Sequence, residues 1–299
     1  MPVVGFSELH KHANDQRYGL AVVNVSALPI ARGIIAIAAE LEAPVVLAVR
    51  GSHLGDGLLP SLEAIAREAH SPIGLLGKRI ENAEQATQAI RLGCNGLVPA
   101  DGLNDHVRDE IRSIAISCGI AVIEQQALTG SLSDIEEELE SVTLSAIADA
   151  PASWQQIDES VAKAAANHLR TVFKKLGASG QGRSVLNTCK PWRPIEHLIV
   201  YNTTTDDSMS VELAAEGRRV LDRIPGVRAT WSGHAVTADA SYRWCWLIRF
   251  AHPAVIDSYR EHPDHVAYAD NHFRPVAGER ISIDYELIGA DETWENQDQ

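Results

Sequence analysis

The sequence predicts two modules of different class, an α/β module followed by an α+β module. Three observations carry this. Short apolar runs alternate with amphipathic, helix-like segments from Gly19 to Glu124. A stretch rich in Gly, Ser and Pro then interrupts the pattern at 177–194. After it, the elements follow in the order βαββαβ, which a parallel βα array does not give.

The elements of the first part come in turn. GLAVVNV (19–25) is a compact apolar strand candidate, and 28–42 is helix-like in composition. PVVLAV (44–49) reads as a second buried strand. Residues 58–70 are helical in pattern, with Leu62, Ile65, Ala66 and Ala69 on one stripe. There follow a strand at Ile73–Leu76, a helix from Asn82 to Leu92, a strand at Gly96–Pro99, a helix at Asp105–Cys118 and a strand at Ile120–Glu124. Asn82 and Asp105 suit N-caps, and Gly93 and Gly119 suit helix stops. Strands alternating with helices imply a parallel sheet covered by helices. Beyond Gly130 an acidic helix is expected at 134–140, a further strand at Val142–Ala148 and a long helix at 155–176.

In the second part, His197–Tyr201 reads as a strand and 208–223 as a helix. IPGV (224–227) turns into a strand reaching Trp231, and YRWCWLIRF (242–250) is the third strand. Short helices are expected at 252–260 and 264–272 around His262-Pro263, and a last strand at 280–288. This is the ferredoxin-like order. The divisions are a βα module at 1–182, a linker at 183–194, an α+β domain at 195–290 and an acidic, frayed tail at 291–299.

Composition narrows the function classes. Apolar residues make up 45% of the 299 and charged residues 22%, enough for packed cores. A formal net charge of −14 argues against nucleic acid as a partner, since phosphates would be repelled. No apolar run approaches ~18 residues, and MPVVGFSELHKH has no apolar signal core, so a soluble, cytoplasmic protein is expected. Cys94, Cys118, Cys189 and Cys245 show no paired spacing and read as reduced thiols, not as a disulfide or thiolate metal framework.

VVGFSELHKHANDQRYGLAVVNV, APVVLAV and NAEQATQAIRLGCNGLV in the first module, with AKAAANHLRTVFKKLGASGQG at 162–182, resemble the class II, zinc-dependent fructose-bisphosphate aldolases. The resemblance implies a (β/α) barrel, here partial, because roughly three βα units are missing from the usual eight. It also implies a catalytic Asp and a histidine zinc ligand on the third strand. This sequence reads Leu76-Gly77-Lys78-Arg79 there, with Lys78 in place of the Asp and Arg79 in place of the ligand. Cations cannot hold Zn²⁺. The family's later Gly-X-X-His-Gly and His-Gly-Gly motifs have no counterpart. No metal and no other cofactor is therefore expected, and zinc aldolase activity is excluded. Arg50, Lys78 and Arg79 stand at or just past strand ends, where ligands of βα folds bind. They make an anion site or are solvated loop charges; a Schiff base on Lys78 would need a desolvated amine. Glu124 falls near a family carboxylate. A partial barrel leaves edges to cover, which points to self-association.

The marks EHLIV (196–200), IPGV (224–227), Tyr259-Arg260-Glu261-His262-Pro263-Asp264-His265 and Ile283-Asp284-Tyr285 make residues 196–288 similar to the stress-responsive A/B barrel, or dimeric alpha-beta barrel, family. That resemblance implies a homodimer, or a higher homo-oligomer, closed through paired sheets. The family's olivetolic acid cyclase performs an intramolecular aldol condensation, which implies Tyr259, His265, His197 and Asp284 as working residues here. Trp244 replaces a strand histidine of that enzyme, so the same substrate is not implied.

The residue types suit the chemistry by themselves. His265 is the base or acid for a proton beside a carbonyl, with His197 a helper, Tyr259 can donate to the oxyanion, and Asp284 can fix the tautomer of His265. Trp231, Trp244 and Trp246, with His262, would line the substrate pocket. Equally, His-Pro-X-His can cap a helix with no catalysis. His10, His12, His234, His252 and His272 show no convergent pattern. The expectation is a metal-independent carbon–carbon lyase or cyclase acting on a small carbonyl substrate, aromatic ones included. The competing expectation is a non-catalytic binding or scaffold homodimer.

Overall fold

The computed structural model describes residues 3–124 and 159–287. The expected acidic helix at 134–140, the strand at Val142–Ala148, the start of the helix at 155–176 and the tail at 291–299 lie outside the described residues. The chain divides into two compact units, meeting in sequence between Trp192 and Arg193.

In the first unit, helix α1 (Phe6–Gln16) precedes β1 (Ala21–Asn24), α2 (Leu28–Glu40), β2 (Val45–Arg50), a 3-10 turn (Gly51–Asp56) and α3 (Leu58–Arg67). Then come β3 (Ile73–Ile80), α4 (Ala83–Arg91), β4 (Gly96–Pro99), α5 (Asp105–Ser117) and β5 (Ala121–Val122). Helices α6 (Glu159–Lys175) and α7 (Gly182–Thr188) complete it. The five strands are parallel in the order β1-β2-β3-β4-β5. Val45 to Val49 are all buried, as both faces of a helix-covered parallel sheet must be. Glycines let α1 approach the sheet: a Cβ on Gly74 would meet Leu9 at 3.0 Å, and one on Gly96 would meet Phe6 at 3.1 Å.

Three local expectations need correction. The N-cap of α5 is Asn104, whose extended backbone lets its side chain accept from the Val107 amide at 3.0 Å; Asp105 is already helical. The buried side of α3 runs through Leu59, Leu62, Glu63 and Ala66, while Ile65 and Ala69 are half-buried. Glu63 is drawn in beside Gly93, and Arg67 caps it at 2.7 Å. Strand β3 extends four residues past Leu76, so Lys78 and Arg79 belong to the strand. Asn82 caps α4 as expected, accepting from Gln85 at 2.9 Å. Gly93 and Gly119 take the left-handed stops with φ of 111° and 68°.

The second unit runs β6 (Ile195–Thr203), α8 (Asp207–Leu221), β7 (Val227–His234), β8 (Trp244–Phe250), α9 (Val255–Glu261), α10 (Pro263–Tyr268), a π turn (Ala269–Phe273) and β9 (Ala277–Glu286). Its sheet is antiparallel in the order β7-β8-β6-β9. Along β8 burial alternates. Trp244, Trp246, Ile248 and Phe250 are buried, and Cys245, Leu247 and Arg249 are not fully so. One face of the sheet therefore carries the core. Gly217 on α8 sits against it, where a Cβ would lie 2.5 Å from the Tyr268 hydroxyl and 2.7 Å from Trp246.

The expected wall of three tryptophans is split by this alternation. Trp231 pairs with Leu247 and so points to the face opposite Trp244 and Trp246. It is 45% exposed, with the Arg249 guanidinium 5.5 Å above its ring. On the same open face stand Ile281, Ile283 and Tyr285 of β9, each more than 40% exposed.

Candidate active site

On the helix-covered face of the second unit, β6 presents His197 directly opposite Ile248 of β8 and Asp284 of β9. Its Nδ1 lies 2.7 Å from Asp284 Oδ1. A carboxylate oxygen accepts, so Nδ1–H donates and Nε2 is left facing away from Asp284. The ring stacks on Phe250 at 5.6 Å, and Tyr259 of α9 stands 6.2 Å away, centroid to centroid. Tyr259 in turn contacts Phe250 at 4.9 Å and His265 at 4.4 Å. His265 Nδ1 donates to the Arg260 carbonyl at 3.0 Å, which again leaves Nε2 outward of the hydrogen bond.

Burial tunes these groups. It pushes the Tyr259 hydroxyl far above the ordinary phenol value, with a smaller push from nearby Tyr268, so Tyr259 stays a donor. It lowers His265 below 6.5, opposed by the hydrogen bond to Arg260 and aided by Arg274 and His197. His265 is thus held neutral at physiological pH.

His197, Tyr259, His265 and Asp284 do converge, but one expected pairing does not form. Asp284 holds His197, not His265, because the β6–β9 register puts it across from His197. The backbone of α9 supplies the anchor for His265 instead. His262 caps α10, its Nδ1 accepting from the Asp264 amide at 3.3 Å, with Pro263 as the first helical residue. Trp246 packs edge-on against Tyr268 at 6.4 Å, and Trp244 against His234 at 6.0 Å. Phe250 and the Arg260 carbonyl were not anticipated. Phe250 shares the parity of Trp246 along β8, a signal available in the sequence. The carbonyl carries no sequence signal at all.

In the first unit, Arg50 and Lys78 are register partners at the carboxyl end of the sheet. Lys78 is only 4% exposed. Arg79 follows at a bulge with φ of 57°, its side chain exposed. Glu124 is taken up by Arg108 at 2.7 Å and Arg112 at 2.9 Å. The position where the aldolase resemblance would place zinc thus offers cations, which do not fit the ion. No group of three His, Cys, Asp or Glu able to hold a metal exists among the described residues. A cavity of about 660 Å³ opens between α1 and the edge strands β1 and β5, lined in part by Phe6, His10, Val22 and Ile123. It includes none of Arg50, Lys78 or Arg79. Among the described residues no helix is long and apolar enough to cross a membrane, and the four cysteines are free.

This arrangement of an imidazole–carboxylate pair on a βαββαβ sheet leads to the comparison that decides the second unit. Residues 195–287 match the family model of the Stress responsive A/B Barrel Domain. They form a Dabb domain. A Dabb family protein of ferredoxin-like fold from Mesorhizobium loti MAFF303099 is 23% identical over 32% of this chain and 99% of its own, with a TM-score of 0.31. A dimeric ferredoxin-like protein of unknown function from Thermobifida fusca YX is 18% identical over 32% and 92%, with a TM-score of 0.29. The YdjI aldolase from Escherichia coli K12 is 14% identical over 60% of this chain and 99% of its own, with a TM-score of 0.49. No curated protein matches the chain.

Proposed function

We propose that the Dabb domain is a metal-independent acid–base enzyme acting on a small carbonyl compound, of the carbon–carbon lyase or cyclase type. The observation that carries this is the pair of imidazoles, His197 and His265. Each is anchored through Nδ1, with Tyr259 beside both. His197 Nε2 takes the proton beside the carbonyl, and Asp284 stabilises the imidazolium that forms. Tyr259, kept protonated by burial, donates to the oxygen on which the enolate charge develops. The enolate carbon then adds to a second carbonyl, whose oxygen is protonated by the His197 imidazolium, which returns that ring to its neutral form. Run backwards, the same steps cleave a β-hydroxy carbonyl compound. Four free thiols suit the reducing cytoplasm. The open sheet face bearing Trp231, Ile281, Ile283 and Tyr285 supports a homodimer.

Proton abstraction is testable without the native substrate. Exchange of the α-protons of a small ketone with deuterated water is followed by NMR. His197→Ala is expected to slow it by about 10²–10⁴-fold. Unchanged exchange in a folded variant removes the mechanism. The competing reading is a non-catalytic binding or scaffold homodimer, with the aldolase-like unit serving assembly or holding an anion at Arg50, Lys78 and Arg79. One observation favours it: Tyr259 is 4% exposed, its ring filled in by Phe250 and His265. Wild-type exchange no faster than that of the His197→Ala variant would decide for it.

A further inference from the structure

Arg280 lies on β9, four residues before Asp284 and two before Ser282. Side chains alternate along a strand, so Arg280, Ser282 and Asp284 form one row on the His197 face. No register shift falls between them, and their partners on β6 are Tyr201, Ile199 and His197 in turn. The row is exposed, since β9 is an edge strand. Three other cations of this unit are matched: Arg274 by Asp270, Arg193 by Glu286 and Arg249 by Glu196. The Arg280 guanidinium makes no ion pair among the described residues. An exposed edge-strand arginine can serve merely to discourage pairing with another chain. Here its position adds something more specific. It is the cation at the end of the row that begins with the Asp284–His197 pair, in a protein whose formal net charge is −14.

We infer that Arg280 gives this site its substrate class: carbonyl compounds bearing a carboxylate at a distance from the reacting carbonyl. The assignment rests on the acid–base reading of the same site. Four residues of strand separate the two ends by about 13 Å between Cα atoms. That span leaves room for a ligand of several carbons between imidazole and guanidinium, with the Ser282 hydroxyl midway. A guanidinium takes a carboxylate with two parallel N–H···O bonds, so the contact orients the ligand as well as holding it. Arg280 touches only the far end of the ligand and is not a catalytic residue.

Levulinate and its neutral ester methyl levulinate form the test pair, because they share the ketone and differ in the charge. Their α-proton exchange is measured on the full chain as a function of probe concentration. The wild type is expected to give a KM about tenfold lower for levulinate than for the ester, at similar kcat. Arg280→Gln is expected to erase that preference by raising the levulinate KM alone. Arg280→Lys is expected to restore part of it. A preference that survives in Arg280→Gln, or none in the wild type, overturns the assignment while leaving His197 as the base. Exchange of neither probe above the His197→Ala variant overturns the acid–base function, and this assignment with it.

Discussion

In β2 of the first unit every residue from Val45 to Val49 is buried, whereas in β8 of the Dabb domain burial changes with each residue from Trp244 to Phe250. Both strands are apolar, yet they obey different rules. A parallel strand between helix layers has no free face, so its polar chemistry is pushed to its carboxyl end, where Arg50 and Lys78 stand. An antiparallel strand with one covered face can place polar side chains within its length, as β6 does with His197. The first unit offers charge at a rim. The second offers imidazole and phenol groups in a wall.

This contrast can be broken most directly by truncation. Trp246→Ala on the covered face is expected to cost about 3–5 kcal/mol, and Leu47→Ala in β2 about 2–5 kcal/mol. Both are read from chemical denaturation of the full chain. If Leu47→Ala were nearly free, the claim that β2 is packed on both sides would fail. Gly217→Ala tests the covered face from the helix side. A helix-interior Gly→Ala change normally gains about 1 kcal/mol. Here the added methyl would strike Tyr268 and Trp246, and overpacking of about 1–3 kcal/mol should win. A stabilised variant would mean that those rings can move aside.

Acid should distinguish the two units by degree. Burial lowers His265 and His252 in the Dabb domain and His12 in the first unit, where Asp15 partly opposes it. Between the lowered folded values and 6.5 the unfolded chain binds more protons. Stability therefore rises with pH through that window and is lost on acidification below 6.5. Denaturation midpoints measured on either side of 6.5 should fall at the acid side, and His265→Gln should flatten part of that fall. The smallest effect on folding is expected on the open face. Ile283→Lys should change stability by no more than about 0.5 kcal/mol, yet abolish the proposed homodimer in sedimentation. An intact dimer would place the subunit contact elsewhere.

Much of the architecture was legible because it rests on periodicity. The strand Gly96–Pro99, the Asn82 cap and the βαββαβ order all follow from local patterns. Helix α1 was not anticipated, since its place is fixed by glycines on distant strands, Gly74 and Gly96. In the site, Tyr259, His265 and His197 were legible as residue types in a motif. The partner of Asp284 was not, because a hydrogen bond across two strands depends on their register.

From the sequence alone came the two classes of module, the cations Lys78 and Arg79 after Leu76 and Gly77, and the supply of imidazole and phenol groups in the second half. Those are matters of residue identity and local repeat. Tertiary structure alone decided that Asp284 serves His197, that the Arg260 backbone serves His265, that Trp231 leaves its fellow tryptophans and that Lys78 is buried. Each depends on strand pairing or on which face a layer of helices covers. Such pairings join residues far apart in the chain, and no local pattern encodes them.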